Sequence, residues 1–296
     1  MLDLRRDVPL ARMTTVRTGG SAELFAEVAT LADLRTLLEL ARREHHGPLQ
    51  LIGSGSNLLV ADEGVRGIVV RLTGELARIS PRADGLECGG GVRLPTLAAR
   101  AAARGLAGIE FAVNIPGTVG GAVRMNANAY GGALADVLSW VEIATADGVK
   151  RRAPETLGFT YRSSSLTPGE IVTAARFVLR RDEPERVRAK LAQMRSQRHA
   201  AQPKGIKTFG STFKNPPGDT AGQLLAAAGA AGLRVGGARL SPKHANFVEN
   251  LGDASTADIV ALMARARRLV IEACGIALER EVQVLGQVSF PWEASA

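Results

Sequence analysis

Gly108-Ile109-Glu110-Phe111-Ala112-Val113-Asn114-Ile115-Pro116-Gly117-Thr118-Val119-Gly120-Gly121-Ala122-Val123-Arg124-Met125-Asn126-Ala127-Asn128-Ala129-Tyr130-Gly131-Gly132 is the stretch of this 296-residue chain that ordinary packing explains least. Pro116-Gly117 sets a turn. Gly120-Gly121 removes side chains where a helix begins, so amides there can face an anion and a flat ligand can lie against bare backbone. A glycine-rich turn can equally be a plain strand-to-helix connection. Asn126 and Asn128 weigh toward the ligand, because Asn fills a helix interior poorly but offers a donor and an acceptor to the edge of a heteroaromatic ring.

On the N-terminal side, residues 22–28 alternate like a strand, and Thr30 with Asp33 opens a helix carrying Leu31, Leu34, Leu37, Leu38 and Ala41 on one face. Residues 49–52 form a short buried strand that runs into Gly53-Ser54-Gly55-Ser56-Asn57. This second loop has the small residues and hydroxyls of a phosphate binder. It matches neither the dinucleotide fingerprint, which needs a glycine where Leu58 stands, nor the P-loop, which needs Gly-Lys-Ser/Thr. Short strands are predicted at 68–72, 76–80 and 86–88, and a helix at 94–104.

Beyond the opening stretch, 137–146 and 171–179 read as strands with a turn at Asp147-Gly148. A polar helix follows over 182–199, with Val187, Leu191 and Met194 as its buried stripe, and then a loop over 200–210. The last part holds a helix at 220–230, a strand at 245–249, a long helix to Cys274 capped by Ser255 and Asp258, and a final strand at 277–286. The pattern is α+β without internal repeats.

A hydrophobic content of 46% and a mean hydropathy of +0.04 exclude disorder, and no apolar run approaches the roughly 20 residues needed to span a bilayer. Residues 1–6 lack the apolar core of a signal peptide. Cys88 and Cys274 build no disulfide framework, and neither they nor His45, His46, His199 and His244 show metal spacing. A cytoplasmic monomer without metal, bound to no membrane, is expected. The net charge of +8 suits nucleic acid or an anionic small ligand. Aromatic residues at 4%, with no basic run interleaved with rings, argue against a base-stacking platform and hence against nucleic acid. Four of the six lysines, Lys204, Lys207, Lys214 and Lys243, fall close together and hint at an anion site.

Gly53-Ser54-Gly55-Ser56-Asn57-Leu58-Leu59, the cradle at 115–131, Tyr161-Arg162-Ser163-Ser164, Gly210-Ser211-Thr212-Phe213-Lys214-Asn215-Pro216 and the strand at 278–286 coincide in order and spacing. Together they resemble the UDP-N-acetylenolpyruvoylglucosamine reductase family, flavin enzymes that complete UDP-N-acetylmuramate for peptidoglycan. The resemblance runs from Thr15 to Gly286. It implies a vanillyl-alcohol-oxidase-type FAD-binding fold of two α+β subdomains, at 1–66 and 67–182, with a C-terminal α+β substrate-binding domain at 200–286. It also implies non-covalent FAD, NADPH as reductant and UDP-N-acetylglucosamine enolpyruvate as substrate.

On the same resemblance Gly53, Ser54, Gly55, Ser56, Asn57 and Leu58 bind the FAD pyrophosphate, and Pro116, Gly117, Thr118, Gly120, Gly121, Asn126 and Gly131 line the rest of the cofactor. Tyr161, Lys214, Asn215, Gln223, Lys243 and Asn246 are the candidates for the nucleotide sugar. The short interval from Gly210 to the 241–246 segment is similar to the family's shorter type, which lacks an inserted substrate loop with a tyrosine. Arg280 and Gln283 stand where many relatives carry proline and arginine.

Reducing an enolpyruvyl ether needs hydride on the methylene carbon, a proton on its neighbour, and a positive partner for charge developing on the carboxylate. A guanidinium forks onto a carboxylate, which suits Arg162, although a strand-end surface arginine would look the same. Glu281, protonated in a dry site, would donate to the same enolate; on the residues alone, half of a salt bridge explains it as well. Glu279 lies two residues away on the same strand face, and Glu281 is chosen because it aligns with the family's catalytic glutamate. Ser211 is the proton donor the resemblance implies, helped by a nearby charge such as Lys214. A free-sugar oxidase of the same fold would often carry a flavin linked to His or Cys, and neither glycine loop holds one.

Overall fold

The computed structural model describes residues 3–201 and 205–293. They form two compact units, one of residues 3–6, 24–54 and 67–198, the other of residues 7–23, 55–66, 199–201 and 205–293.

The first unit is built on a five-stranded antiparallel sheet in the order Gly148–Arg152, Leu138–Thr145, Ile171–Val178, Gly85–Gly89, Ile79–Arg82. Alternation along Ile171–Val178 sends Ala175 and Phe177, and a shift in register before Ala174 sends Val172, into a core shared with Leu86, Leu94, Leu97, Phe111 and Val123. Helix α1 (Leu31–Arg43) starts where expected: the Thr30 hydroxyl accepts from the Asp33 amide at 3.1 Å. Its apolar face, Leu34, Leu37, Leu38 and Ala41, packs with Leu24, Val28, Ile68 and Val70 in a second core. Strand Gln50–Leu51 pairs in parallel with Val69 and Val70, so the expected strand–helix–strand unit is present.

Helix α2 (Leu94–Ala102) and the six-residue α3 (Val119–Arg124) cover the five-stranded sheet. A Cβ on Gly120 would stand 3.3 Å from the Gly90 carbonyl, which is how closely α3 lies on the sheet. Helix α4 (Pro184–Ala201) adds Val187 and Leu191 to that core.

The second unit contains α5 (Ala221–Ala227), α6 (Thr256–Cys274) and an antiparallel sheet of Arg234–Val235, Ala238–Leu240 and Val248–Asn250. A Ser255–Asp258 capping box opens α6, and Gly275 at φ 73° closes it. Two short early segments are laced into this unit. Leu58–Val60 pairs in parallel with Gln283–Leu285, and the Asp62 carboxylate accepts the Thr256 and Ala257 amides, both at 2.9 Å. Asn250 donates to the Val16 carbonyl at 2.8 Å, and Thr256 to the carbonyl of Val60. Val16, Leu59, Phe209, Phe213, Leu262 and Val282 share one core.

Three expectations shift. The strand expected at 76–80 is a 3-10 turn, Gly74–Ala77, followed by strand Ile79–Arg82, because the Glu75 amide turns to the Ala29 carbonyl and Gly74 takes φ 51°. The strand expected at 245–249 begins only at Val248, after a turn closed by the Phe247 amide on the His244 carbonyl. Of the strand expected at 277–286, only Gln283–Leu285 is regular. Lys204 lies outside the described residues, as does part of the loop expected at 200–210.

Candidate active site

The opening stretch folds as a 3-10 helix, Glu110–Asn114, a turn, the short α3 and a two-residue strand, Asn128–Ala129, in the first unit. Thr118 caps α3, its hydroxyl accepting from the Gly121 amide at 3.4 Å. The Val119 amide bonds the Val92 carbonyl and the Gly120 amide the Gly90 carbonyl, both at 2.8 Å. These three amides are therefore engaged by the protein, which corrects the expectation that they point at an anion. What the cradle offers there is bare Cα surface. A Cβ on Gly117 would meet nothing closer than an Ile115 methyl at 4.0 Å, and one on Gly121 nothing closer than the Thr118 hydroxyl at 3.5 Å. Neither glycine has a positive φ. Neither packing nor backbone conformation asks for glycine at these positions, which is the arrangement expected where a flat ligand covers the chain, so the cradle fits a flavin nucleotide. Gly131, at φ 80°, also faces open space, whereas Pro116 is an exposed turn residue.

The loop at 53–58 is different. A Cβ on Gly53 would lie 2.6 Å from the Thr118 hydroxyl, and in the second unit Gly55, at φ 61°, would drive one into the Met13 carbonyl oxygen. The Gly55 carbonyl accepts from the Thr15 amide at 3.0 Å. Ser54 and Ser56 are half-buried. Asn57 donates to the Glu281 carbonyl at 3.2 Å, and Leu58 pairs with Gln283. Protein packing alone thus accounts for both glycines of this loop and for the Asn57 side chain.

Asn126 and Asn128 also depart from expectation. Buried Asn126, at φ 39°, donates to the Thr160 carbonyl at 3.1 Å and accepts from the Ala135 amide at 3.4 Å, while Asn128 donates to the Asn126 carbonyl. Their carboxamides hold the chain in place. Arg162, at φ 56°, donates from Nη1 to the Asn128 carbonyl at 3.1 Å, with its guanidinium 5.6 Å from the ring of exposed Tyr161. Two residues that the sequence reading missed complete this arrangement. Ser164 donates to the Arg124 carbonyl at 2.8 Å, and the Arg124 guanidinium donates to the carbonyls of Leu166, Thr167 and Glu170 at 3.0, 3.2 and 2.7 Å. Burial pulls the Arg124 pKa down, opposed by the Glu170 charge. Burial pushes the Glu170 carboxyl up, but Thr167's amide and hydroxyl with Arg152 and Arg124 outweigh it and hold it below the usual carboxylate range. The only signal in the sequence is an arginine ending an otherwise apolar α3.

In the second unit, residues 211–214 run between two neighbours. Ser211 bridges Phe247 and Phe213 bridges Arg280; the Glu281 amide reaches the Thr212 carbonyl at 2.9 Å and the Lys214 amide the Glu279 carbonyl at 2.8 Å. This register sets Thr212 opposite Glu281 and Lys214 opposite Glu279. Lys214 forms a 3.2 Å ion pair with Glu279. Lys214 therefore answers Glu279 rather than supporting Ser211 as expected. The two glutamates are also distinguished, Glu279 being exposed and Glu281 half-buried. Buried Asn246 accepts from the Phe213 amide and donates to the Phe213 carbonyl, each at 2.9 Å, so it clamps this strand with both ends of its carboxamide instead of extending to a ligand. Asn215 caps the Ala221 amide at 3.0 Å, Gln223 accepts from the Thr220 hydroxyl at 2.8 Å, and the Lys243 amide bonds the Ser241 hydroxyl at 3.3 Å.

Residues 22–153 match the family described as FAD binding domain. With the bare-backbone cradle inside that span, the α+β fold defines an FAD-dependent oxidoreductase. Residues 202–285 match the UDP-N-acetylenolpyruvoylglucosamine reductase C-terminal domain. The chain is 46% identical over 291 residues to UDP-N-acetylenolpyruvoylglucosamine reductase 2 of Symbiobacterium thermophilum, covering 98% of this chain and 94% of that protein. It is 43% identical to the corresponding reductase of Rubrobacter xylanophilus, covering 95% of each. The crystal structure of the UDP-N-acetylenolpyruvylglucosamine reductase of Thermus caldophilus superposes with a TM-score of 0.85 at 39% identity, covering 96% of this chain and all of that one. The chain belongs to the UDP-N-acetylenolpyruvoylglucosamine reductase family, whose reaction serves peptidoglycan precursor synthesis. Among the described residues no helix is long and apolar enough to cross a membrane.

Proposed function

We propose that the protein reduces UDP-N-acetylglucosamine enolpyruvate to UDP-N-acetylmuramate in the cytoplasm as a monomer, with residues 1–66 and 67–182 serving FAD and residues 200–286 the substrate. Family membership supports this reading, and the observation that carries it to the cofactor is the pair Gly117 and Gly121, bare for no internal reason. FAD, held against the bare backbone at Gly117 and Gly121, would supply the two-electron chemistry between NADPH and the enolpyruvyl ether. Arg162 holds the substrate carboxylate through its planar fork and stabilises the charge that develops there. Glu281, half-buried, donates a hydrogen bond to the same enolate in its protonated form. Ser211 delivers the proton to the adjacent carbon. Tyr161, Lys214, Asn215, Gln223 and Lys243 supply contacts to the nucleotide sugar, and Asn246 supports them by fixing the 211–214 strand.

Anaerobic rapid mixing separates the two half-reactions through flavin absorbance. Ser211→Ala is expected to keep FAD and its reduction by NADPH while reoxidation by the enolpyruvyl substrate slows about 10²- to 10⁴-fold. Reoxidation at the parent rate removes Ser211 as donor. Arg162→Lys should likewise spare flavin reduction, since only the fork is lost. Equal damage to both half-reactions would make Arg162 structural.

A further inference from the structure

The segment from Thr160 to Glu170 carries Tyr161 and Arg162, yet no sheet or helix holds it between the Thr160–Ser163 bridge and strand Ile171–Val178. It is fastened to α3 and the turn after it. Asn126 takes the Thr160 carbonyl, the Asn128 carbonyl takes Arg162, the Arg124 carbonyl takes Ser164, and the Arg124 guanidinium takes the carbonyls of Leu166, Thr167 and Glu170. Arg162 itself sits in the left-handed region at φ 56°, a conformation that persists in a non-glycine residue only when its surroundings determine it.

We propose that Arg124 is the positioning residue that holds the Arg162 loop in register with the flavin cradle. This rests on the reading of Arg162 as the carboxylate-binding group. An arginine suits the task because one rigid, planar cation reaches several carbonyls at once and fixes their spacing; a lysine is a single point donor. Its charge is answered by Glu170, whose carboxylate is fixed in turn by the Thr167 amide at 2.7 Å and by Arg152 at 3.2 Å. Because the side chain turns toward 166–170, its removal leaves the backbone at Gly117 and Gly121 untouched.

The test uses the FAD-loaded protein with Arg124→Gln and Arg124→Lys. Three things are measured: flavin content, amide hydrogen exchange over residues 160–170, and the two half-reactions. Arg124→Gln is expected to keep its flavin and its rate of reduction by NADPH, and to exchange faster over 163–170. Its reoxidation by the enolpyruvyl substrate should slow by about 10- to 100-fold, the cost of a displaced positioning group. Arg124→Lys should recover part of that loss. If Arg124→Gln does not fold, Ser164→Ala removes one hydroxyl of the same clamp and should shift exchange and reoxidation in the same direction. Unchanged exchange overturns the proposal, as does faster exchange with parental reoxidation. A joint fall in flavin content and both half-reactions also overturns it, because that marks a structural residue. Should the parent protein itself fail to react with the enolpyruvyl substrate, the functional reading falls, and the exchange data still judge the clamp.

Discussion

The two glycine-rich loops look alike in sequence and are maintained for different reasons. In the loop at 53–57, Gly53 has the Thr118 hydroxyl where its side chain would be and Gly55 has the Met13 carbonyl, so protein atoms forbid a side chain. In the turn at 117–121, Gly117 and Gly121 face open space with ordinary backbone angles. A glycine that the fold does not require is the better pointer to a ligand.

The largest effect is expected where protein packing forbids the side chain. Gly55→Val should cost about 3–5 kcal/mol of stability, the sum of a left-handed backbone penalty and overlap with fixed backbone, read by urea unfolding. A variant that unfolds like the parent but lacks FAD would erase the contrast between the loops.

Gly121→Val should do the opposite. The apo protein should keep its stability within about 0.5 kcal/mol, as for a surface change, while FAD affinity falls about 10- to 100-fold from overlap with the ligand. Fluorescence titration with FAD checks this, and parental affinity would remove the cradle.

Gly53→Ala sits between the two, because its Cβ displaces the hydroxyl that caps α3. A loss of about 1–2 kcal/mol is expected, the usual cost of a lost cap. In a double-mutant cycle with Thr118→Ala the two losses should be less than additive, since the second change removes the atom the first one strikes. Full additivity would mean that Gly53 and Thr118 do not meet.

The smallest effect is acid sensitivity. The folded-state pKa of Glu170 is depressed, so its contribution is complete above the unfolded carboxylate value of about 4.3 and is lost as pH falls through the folded value. Exchange protection over 166–170, corrected for intrinsic rates, should therefore decline on acidification while that of the Thr15–Gly55 amide contact does not. Parallel decline at both places would assign the acid effect to global unfolding.

Local chemistry made much of this legible. The Thr30–Asp33 and Ser255–Asp258 caps, the Asp147-Gly148 turn and the apolar stripe of α4 rest on residues a few positions apart, and each is present in the structure. The glycines also marked both loops. What the residues did not disclose depends on partners far along the chain. Glycine looks the same at Gly55 and Gly121, and the difference lies in Met13 and in empty space. Asn126 and Asn246 have the chemistry of ligand groups, and only their distant backbone partners, Thr160 and Phe213, show them to be braces. The role of Arg124 is not local either, because its three acceptors lie more than forty residues away.

The lacing of the second unit bears on how the chain is made. The strand at Gln283–Leu285 has its parallel partner at Leu58–Val60, α6 is met at its first turn by Asp62, and Asn250 reaches back to Val16 across 234 positions. Contacts of such span close only after long loops are brought together, which slows folding. The stretch 202–285 recognised as a domain by its family match therefore lacks, on its own, the parallel partner of its last strand and the Asp62 carboxylate that meets α6. Residues 7–23 and 55–66 leave the ribosome first and must wait for the last quarter of the chain, so a truncated C-terminal fragment emerges with an unpaired strand edge and an exposed core.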